Sequence, residues 1–271
     1  MSQFFEALAS QVFMQYALAA GLLASLACGI IGPYVIVMRL GLLAGGIAHA
    51  LLGGMGVAYF LGQSPLAGAL ITAVLAALII GWVRLQFGED EDTIIAAIWA
   101  VGMALGVLFI SRTPGYTADL MSYLFGNILL IGRSDLIFLA VLNAIIIGIV
   151  TLFYKQFLAV AFDEEFARAR GIRVRFFYLL MLVLVALTIV VLIRVVGLIL
   201  VIALLTLPAA IARQFAGTLY GMMLLASLIG AALTFSGLAI SYGPNLPSGA
   251  TIIVLAGLSY FTVLILRRQR R

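Results

Sequence analysis

The sequence predicts an all-α polytopic membrane protein, a bundle of about eight or nine spanning helices that forms one domain over residues 1–271. Hydrophobic residues make up 65% of the chain and charged residues only 9%, whereas a soluble domain carries about 25% charged residues. The apolar residues are gathered in long runs of the length that crosses a bilayer as a helix. So few polar residues could not cover a surface that faces water.

Nine apolar runs are candidate spans, since a membrane helix needs about 20 residues. No linker or extramembrane module separates them. A shorter piece, 118–131, is typical of a re-entrant or interfacial segment. The candidate spans are 12–38, 42–61, 66–87, 94–110, 136–157, 176–193, 195–212, 218–241 and 250–266.

The cationic residues predict the sidedness of the loops, because lysine and arginine are enriched in cytoplasmic loops. With the C-terminal RRQRR placed in the cytoplasm, nine crossings assign 12 of the 15 cations to the inner side and 3 to the outer side. The N-terminus then lies outside. If one of the shortest runs turns back instead, eight crossings remain and the N-terminus moves inside. We expect a multi-pass protein of the cell membrane with a cytoplasmic C-terminus.

Composition disfavours several other classes of protein. The net charge of +5 is explained by the loop cations, so no nucleic-acid partner is expected. All ten acids lie outside the confident spans, whereas proton-coupled carriers keep carboxylates within the membrane. The only lysine, Lys155, follows Tyr154, and a P-loop requires glycine before its lysine. The protein is therefore not expected to hydrolyse ATP by itself.

The only histidine, His49, lies in the glycine-rich second span. It is about 10 Å into that span at 1.5 Å per residue, and ionisable groups at such depth are functional candidates. Gly45, Gly46, Gly53 and Gly56 lie on or beside its helical face, where small residues let helices approach closely. In a two-fold dimer, two such histidines could meet and bind a metal ion. The alternative is a histidine with a purely structural hydrogen bond.

The segment AFDEEFARARGIRVRF interrupts the apolar pattern and predicts a short cytoplasmic helix. Acids begin it, bases follow and a glycine ends it, which is the charge order that stabilises a helix. We expect a docking site for a cytoplasmic partner, with a solvated connector as the alternative. Its residues are Asp163, Glu164, Glu165, Phe166, Arg168, Arg170 and Gly171.

Five stretches, taken in order, resemble the permease subunits of the metal-type ABC importers, the ABC-3 family that carries zinc, manganese or iron. They are GGIAHALLGG, DLMSYLFGNIL, DEEFARARGI, ALTIVVLIRVVGLILVIALLTLPAAIAR and LPSGATIIVL. The resemblance implies the helical bundle of the vitamin B12 and siderophore (type II) importers. It also implies a homodimer, cytoplasmic ATPase subunits docked on the 163–173 loop and an extracellular metal-binding lipoprotein. The metal ion would be cargo, moved by alternating access, with no permanently bound cofactor.

One departure from the family pattern concerns the cargo site. Zinc and manganese members usually read Asp-x-x-x-His, and here the position of the aspartate is Gly45 while His49 is kept. Two imidazoles from a dimer would supply only two ligands, whereas zinc normally takes four. An importer of a metal chelate or larger organic cargo therefore stays open, as does an ion-coupled carrier or channel.

Four further residues are weaker candidates for the metal path. Asp119, at the start of the short segment, is the outer-face acid best placed to guide an arriving cation, with helix capping as the alternative. Cys28, Met55 and Met103 could be soft ligands, but packing is their favoured role in a membrane core. A membrane-embedded enzyme is disfavoured, because one histidine without paired acids makes poor catalytic machinery.

Overall fold

The chain folds as a bundle of α-helices. The computed structural model describes residues 2–87, 91–113, 126, 128–198, 201–244 and 246–268, and it contains no strand within them. The α-helices are α1 Ser2–Ser10, α2 Val12–Val37, α3 Gly41–Phe60, α4 Pro65–Phe87, α5 Glu91–Ser111, α6 Arg133–Leu152, α7 Tyr154–Phe162, α8 Glu164–Ala169, α9 Val174–Val196, α10 Val201–Ala212, α11 Leu219–Tyr242 and α12 Ser248–Arg268. Within the described residues the one further helical element is a short 3₁₀ turn at Ile128–Leu130.

Eight of these helices, α2–α6, α9, α11 and α12, are long and apolar enough to cross a membrane. The predicted all-α bundle of eight or nine spans is therefore confirmed. The predicted span 195–212 differs, because the chain there forms only α10, a helix of 12 residues that is about 18 Å long at 1.5 Å per residue. The backbone turns at Gly197, whose φ is 81°, and an apolar run by itself does not reveal where a helix ends.

One end of the bundle, which we call the cationic end, collects most of the basic side chains. Tyr34, near the end of α2, contacts Phe157 of α7 edge-on, and Ile36 packs with residues of α10 and α11. Arg267, near the end of α12, lies over the ring of Phe215 in the segment after α10. The described basic residues at or near this end are Arg39, Arg84, Lys155, Arg168, Arg170, Arg173, Arg175, Arg213 and Arg267.

The opposite end of the bundle is tied together by aromatic contacts. Phe4 of α1 lies edge-on to Tyr242 at the end of α11, with ring centroids 6.3 Å apart. Phe60 of α3 and Phe109 of α5 have centroids 5.4 Å apart. α1 therefore lies at the end of the bundle opposite to the C-terminal end of α12. α9 runs away from the cationic end and α10 runs back toward it. The chain thus passes along the bundle an odd number of times between α1 and the end of α12.

The inner helices α2, α3 and α9 are largely buried, whereas α5 and α12 lie outermost. α2 and α11 approach closely and are joined by a hydrogen bond of 3.0 Å between the hydroxyls of Ser25 and Thr234. Small residues and hydroxyl pairs of this kind hold membrane helices together, because lipid offers no hydrophobic driving force between them.

Candidate metal site

His49 faces α5 and is held there by an aromatic stack. Its imidazole lies parallel to the indole of Trp99, with centroids 4.5 Å apart and an interplanar angle of 3°. The indole Nε1–H in turn donates a hydrogen bond of 2.9 Å to the Sδ atom of Met103, one turn further along α5. The imidazole therefore has a defined plane and orientation, set by two side chains of a neighbouring helix.

The Nδ1 atom of His49 is buried and has no hydrogen-bond partner among the described residues. A buried polar atom is costly to leave without a partner, and nearly all such atoms in folded proteins have one. The side chain as a whole is only half-buried, so the ring is reachable from one side. An imidazole nitrogen in this state is suited to bind a metal ion.

The glycines around His49 bring α3 against α5 of the same chain. A Cβ atom built on Gly46 would lie 2.3 Å from Ile95, one on Gly53 would lie 2.6 Å from the backbone oxygen of Gly102, and one on Gly56 would lie 2.8 Å from that of Gly106. We expected these glycines to admit a helix of a second copy. The structure shows instead that α5 occupies this face, because close approach needs small residues on both helices and α5 also carries glycines at the contact.

Gly45, the position where the family carries an aspartate, has a different neighbour. A Cβ atom there would lie 2.9 Å from Cδ1 of Ile202, in α10. The position one turn before His49 is thus covered by the short helix α10. It carries no ligand atom of its own beyond the backbone.

The described part of the chain does not supply a complete metal cage. No group of three or more histidine, cysteine, aspartate or glutamate side chains is clustered within it. The sulfur of Met103 already accepts the indole N–H. Asp92 is the acid nearest along the Trp99 face of α5, two turns or roughly 10 Å away. Asp119 lies outside the described residues. The described part of the chain therefore offers a single oriented imidazole and no further side-chain ligand clustered with it.

Sequence reasoning found His49 but missed Trp99. The one signal in the sequence that could have pointed to Trp99 is its position. Tryptophans of membrane proteins are enriched at the interface, whereas Trp99 lies well inside α5. A half-buried tryptophan whose N–H has a specific partner indicates a defined contact.

The predicted docking loop forms the short helix α8 at the cationic end. The Asp163 carboxylate caps it by accepting a hydrogen bond of 2.9 Å from the backbone N–H of Phe166. Arg168 pairs with Glu164 at 3.2 Å, and Arg170 lies over the Phe166 ring. The backbone leaves the helix at Gly171, whose φ is 74°, a conformation that favours glycine. Glu165 is exposed.

The surface of this loop is suited to protein contact. Phe162 and Phe166 are 64% and 50% exposed, and aromatic residues and arginine are enriched in binding surfaces.

These features define a polytopic helical membrane protein with a polar group in its bundle and a structured loop at its cationic end. Over residues 10–267 the chain matches the family described as the ABC 3 transport family, and it belongs to that family.

Three similar proteins have informative names. The chain is 41% identical over 256 residues to a probable metal transport system membrane protein of Chlamydia pneumoniae, covering 92% of this chain and 87% of the relative. It is 36% identical over 258 residues to the manganese transport system membrane protein MntC of Listeria monocytogenes, covering 95% and 92%. A solved structure, PsaBC from Streptococcus pneumoniae in complex with Fab, superposes with a TM-score of 0.88 at 32% identity, covering 97% and 94%.

Proposed function

We propose that this protein is the membrane permease subunit of an ATP-driven importer that moves a divalent transition metal ion into the cytoplasm. The observation that carries the proposal is the oriented His49 imidazole, whose buried Nδ1 atom has no hydrogen-bond partner in the described part of the chain. Membership of the ABC 3 transport family supports a transport role, and the names of the relatives support a metal cargo.

Among zinc, manganese and iron, we propose manganese as the cargo. Thiolates, which select zinc, are lacking at the site, because the only cysteine, Cys28, is buried in α2. Manganese takes oxygen ligands such as carbonyl groups and water, and such oxygens would complete the site beside the imidazole. A relative is also named as a manganese transport protein.

The assembly follows from what one chain lacks. We propose a homodimer, because a second copy would bring a second His49 to the path. Separate cytoplasmic ATPase subunits would bind the α8 loop through its exposed aromatic rings, and an extracellular metal-binding lipoprotein would deliver the ion at the opposite end. In this arrangement the cationic end and the C-terminus face the cytoplasm, as the distribution of lysine and arginine favours.

The test is metal uptake by proteoliposomes that contain the permease, its cognate ATPase and its binding protein, with zinc, manganese and iron compared. His49→Ala should abolish manganese uptake while assembly and ATPase activity are retained. Asn143→Leu is the matched control, because Asn143 is also a buried polar residue with an unpaired atom but lies in α6. Unchanged uptake in His49→Ala would make the histidine structural. Uptake of a chelate but of no free ion would establish the organic-cargo alternative.

A further inference from the structure

A polar cavity lies at the cationic end, between α4, α8 and the start of α9. It has a volume of about 410 Å³ and is lined by Arg84, Leu85, Glu164, Arg168, Val174, Arg175 and Tyr178. We call it the arginine pocket. None of the residues that contact His49 lines it.

The described lining of the pocket has a surplus of positive charge. Three of its side chains are arginines and one is a glutamate. Glu164 is engaged with Arg168, and Arg84 packs over the Tyr178 ring, 4.6 Å from its centroid, while donating a hydrogen bond to the Tyr178 hydroxyl. Arg175 is exposed and forms no ion pair with another described residue. Arg175 therefore has guanidinium N–H groups to offer to an anion, and arginine binds phosphate through such groups.

An exposed apolar stripe of α4 leads directly to this pocket. Ile71, Leu75, Leu78 and Trp82 are exposed and follow one another at spacings of three and four, so they lie on one helical face. Leu85 continues that face and lines the pocket. An exposed tryptophan at this height is typical of the level of the lipid headgroups.

From these features we propose that the arginine pocket binds the phosphate headgroup of an anionic phospholipid, whose acyl chains lie along the exposed stripe of α4. Basic pockets between membrane helices on the cytoplasmic side bind anionic headgroups in this way. Since Glu164 and Arg168 belong to both the pocket and the α8 loop, a bound lipid would touch the loop directly. This inference is independent of the metal cargo.

The test is native mass spectrometry of the purified permease in detergent, titrated with phosphatidylglycerol or with phosphatidylcholine. Wild type should bind phosphatidylglycerol in preference, and Arg175→Ala should weaken that binding about five-fold, the usual effect of one arginine at an anionic surface. Arg213→Ala is the matched control, because Arg213 is exposed at the same end but does not line the pocket. The melting temperature of each variant verifies that it is folded.

Three results would overturn the proposal. The first is equal binding of the two lipids by wild type, and the second is equal loss in the Arg175 and Arg213 variants. The third is a switch of ligand class. If Arg175→Ala leaves phosphatidylglycerol binding unchanged but abolishes stabilisation of the permease by inorganic phosphate, the site takes free anions. If it weakens only the binding of the ATPase subunit, the pocket serves an acidic side chain of that partner.

Discussion

Gly53→Ala tests whether the contact between α3 and α5 sets the stability of the site. The added Cβ atom would lie 2.6 Å from the backbone oxygen of Gly102, so the two helices would have to separate by roughly 0.8 Å to restore ordinary contact. Overpacking of this kind typically costs about 1–3 kcal/mol, and alanine recovers about 1 kcal/mol of helix propensity. We expect a net loss of about 1 kcal/mol, which lowers the melting temperature by roughly 2–4 °C.

Gly148→Ala is the control for helix propensity, because a Cβ atom on Gly148 in α6 would meet nothing within 4 Å. That variant should melt at or above the temperature of wild type. The assay is thermal unfolding of the three proteins in one detergent at matched concentrations. A Gly53→Ala protein that melts as high as Gly148→Ala would refute the reasoning, since it would show that α3 and α5 separate without cost.

Single contacts elsewhere set three further expectations. Gly45→Asp would create the Asp-x-x-x-His pair with His49 and disturb only the flexible end of one isoleucine side chain. The variant should therefore fold and have a lower KM for manganese uptake. An unchanged KM would mean that position 45 does not face the ion. Trp99→Leu removes an aromatic stack worth about 0.5–1.5 kcal/mol, so it should raise the KM for manganese uptake roughly two- to ten-fold and affect kcat less. Trp99→Phe keeps a stacked ring and should have a smaller effect. Equal effects of the two variants would argue against positioning of His49 by the stack. Asp163→Ala removes a helix cap worth about 1 kcal/mol and should weaken binding of the ATPase subunit, measured by co-purification. Asp163→Asn retains the cap and should bind normally. If neither variant changes the binding, α8 is not the docking element.

The α8 loop was predictable because its signals are local. Capping acids, following bases and a terminal glycine act within a few residues of one another, and the structure shows the cap at Asp163 and the positive φ at Gly171. The eight long helices were predictable for the same reason, because spanning a bilayer requires a length and an apolarity that any window of the sequence displays.

The neighbours of each helix face were not predictable. The glycine spacing on α3 indicates that some helix packs closely against it. A helix of the same chain and a helix of a second copy would require the same spacing. Only the tertiary structure shows that α5 packs there, that Trp99 stacks on His49 and that the run 195–212 breaks into the end of α9 and the short α10.

The sequence by itself determined that this chain is a membrane bundle, where its long apolar segments lie, and that His49 is its one imidazole. These properties depend on composition and on periodicity along the chain. The tertiary structure decided that the imidazole has a fixed plane and a buried nitrogen without a partner in the described residues, and that arginines of α4, α8 and α9 surround one pocket. Such features depend on which side chains meet across helices far apart in sequence, and spacing along one helix carries no information about its partner.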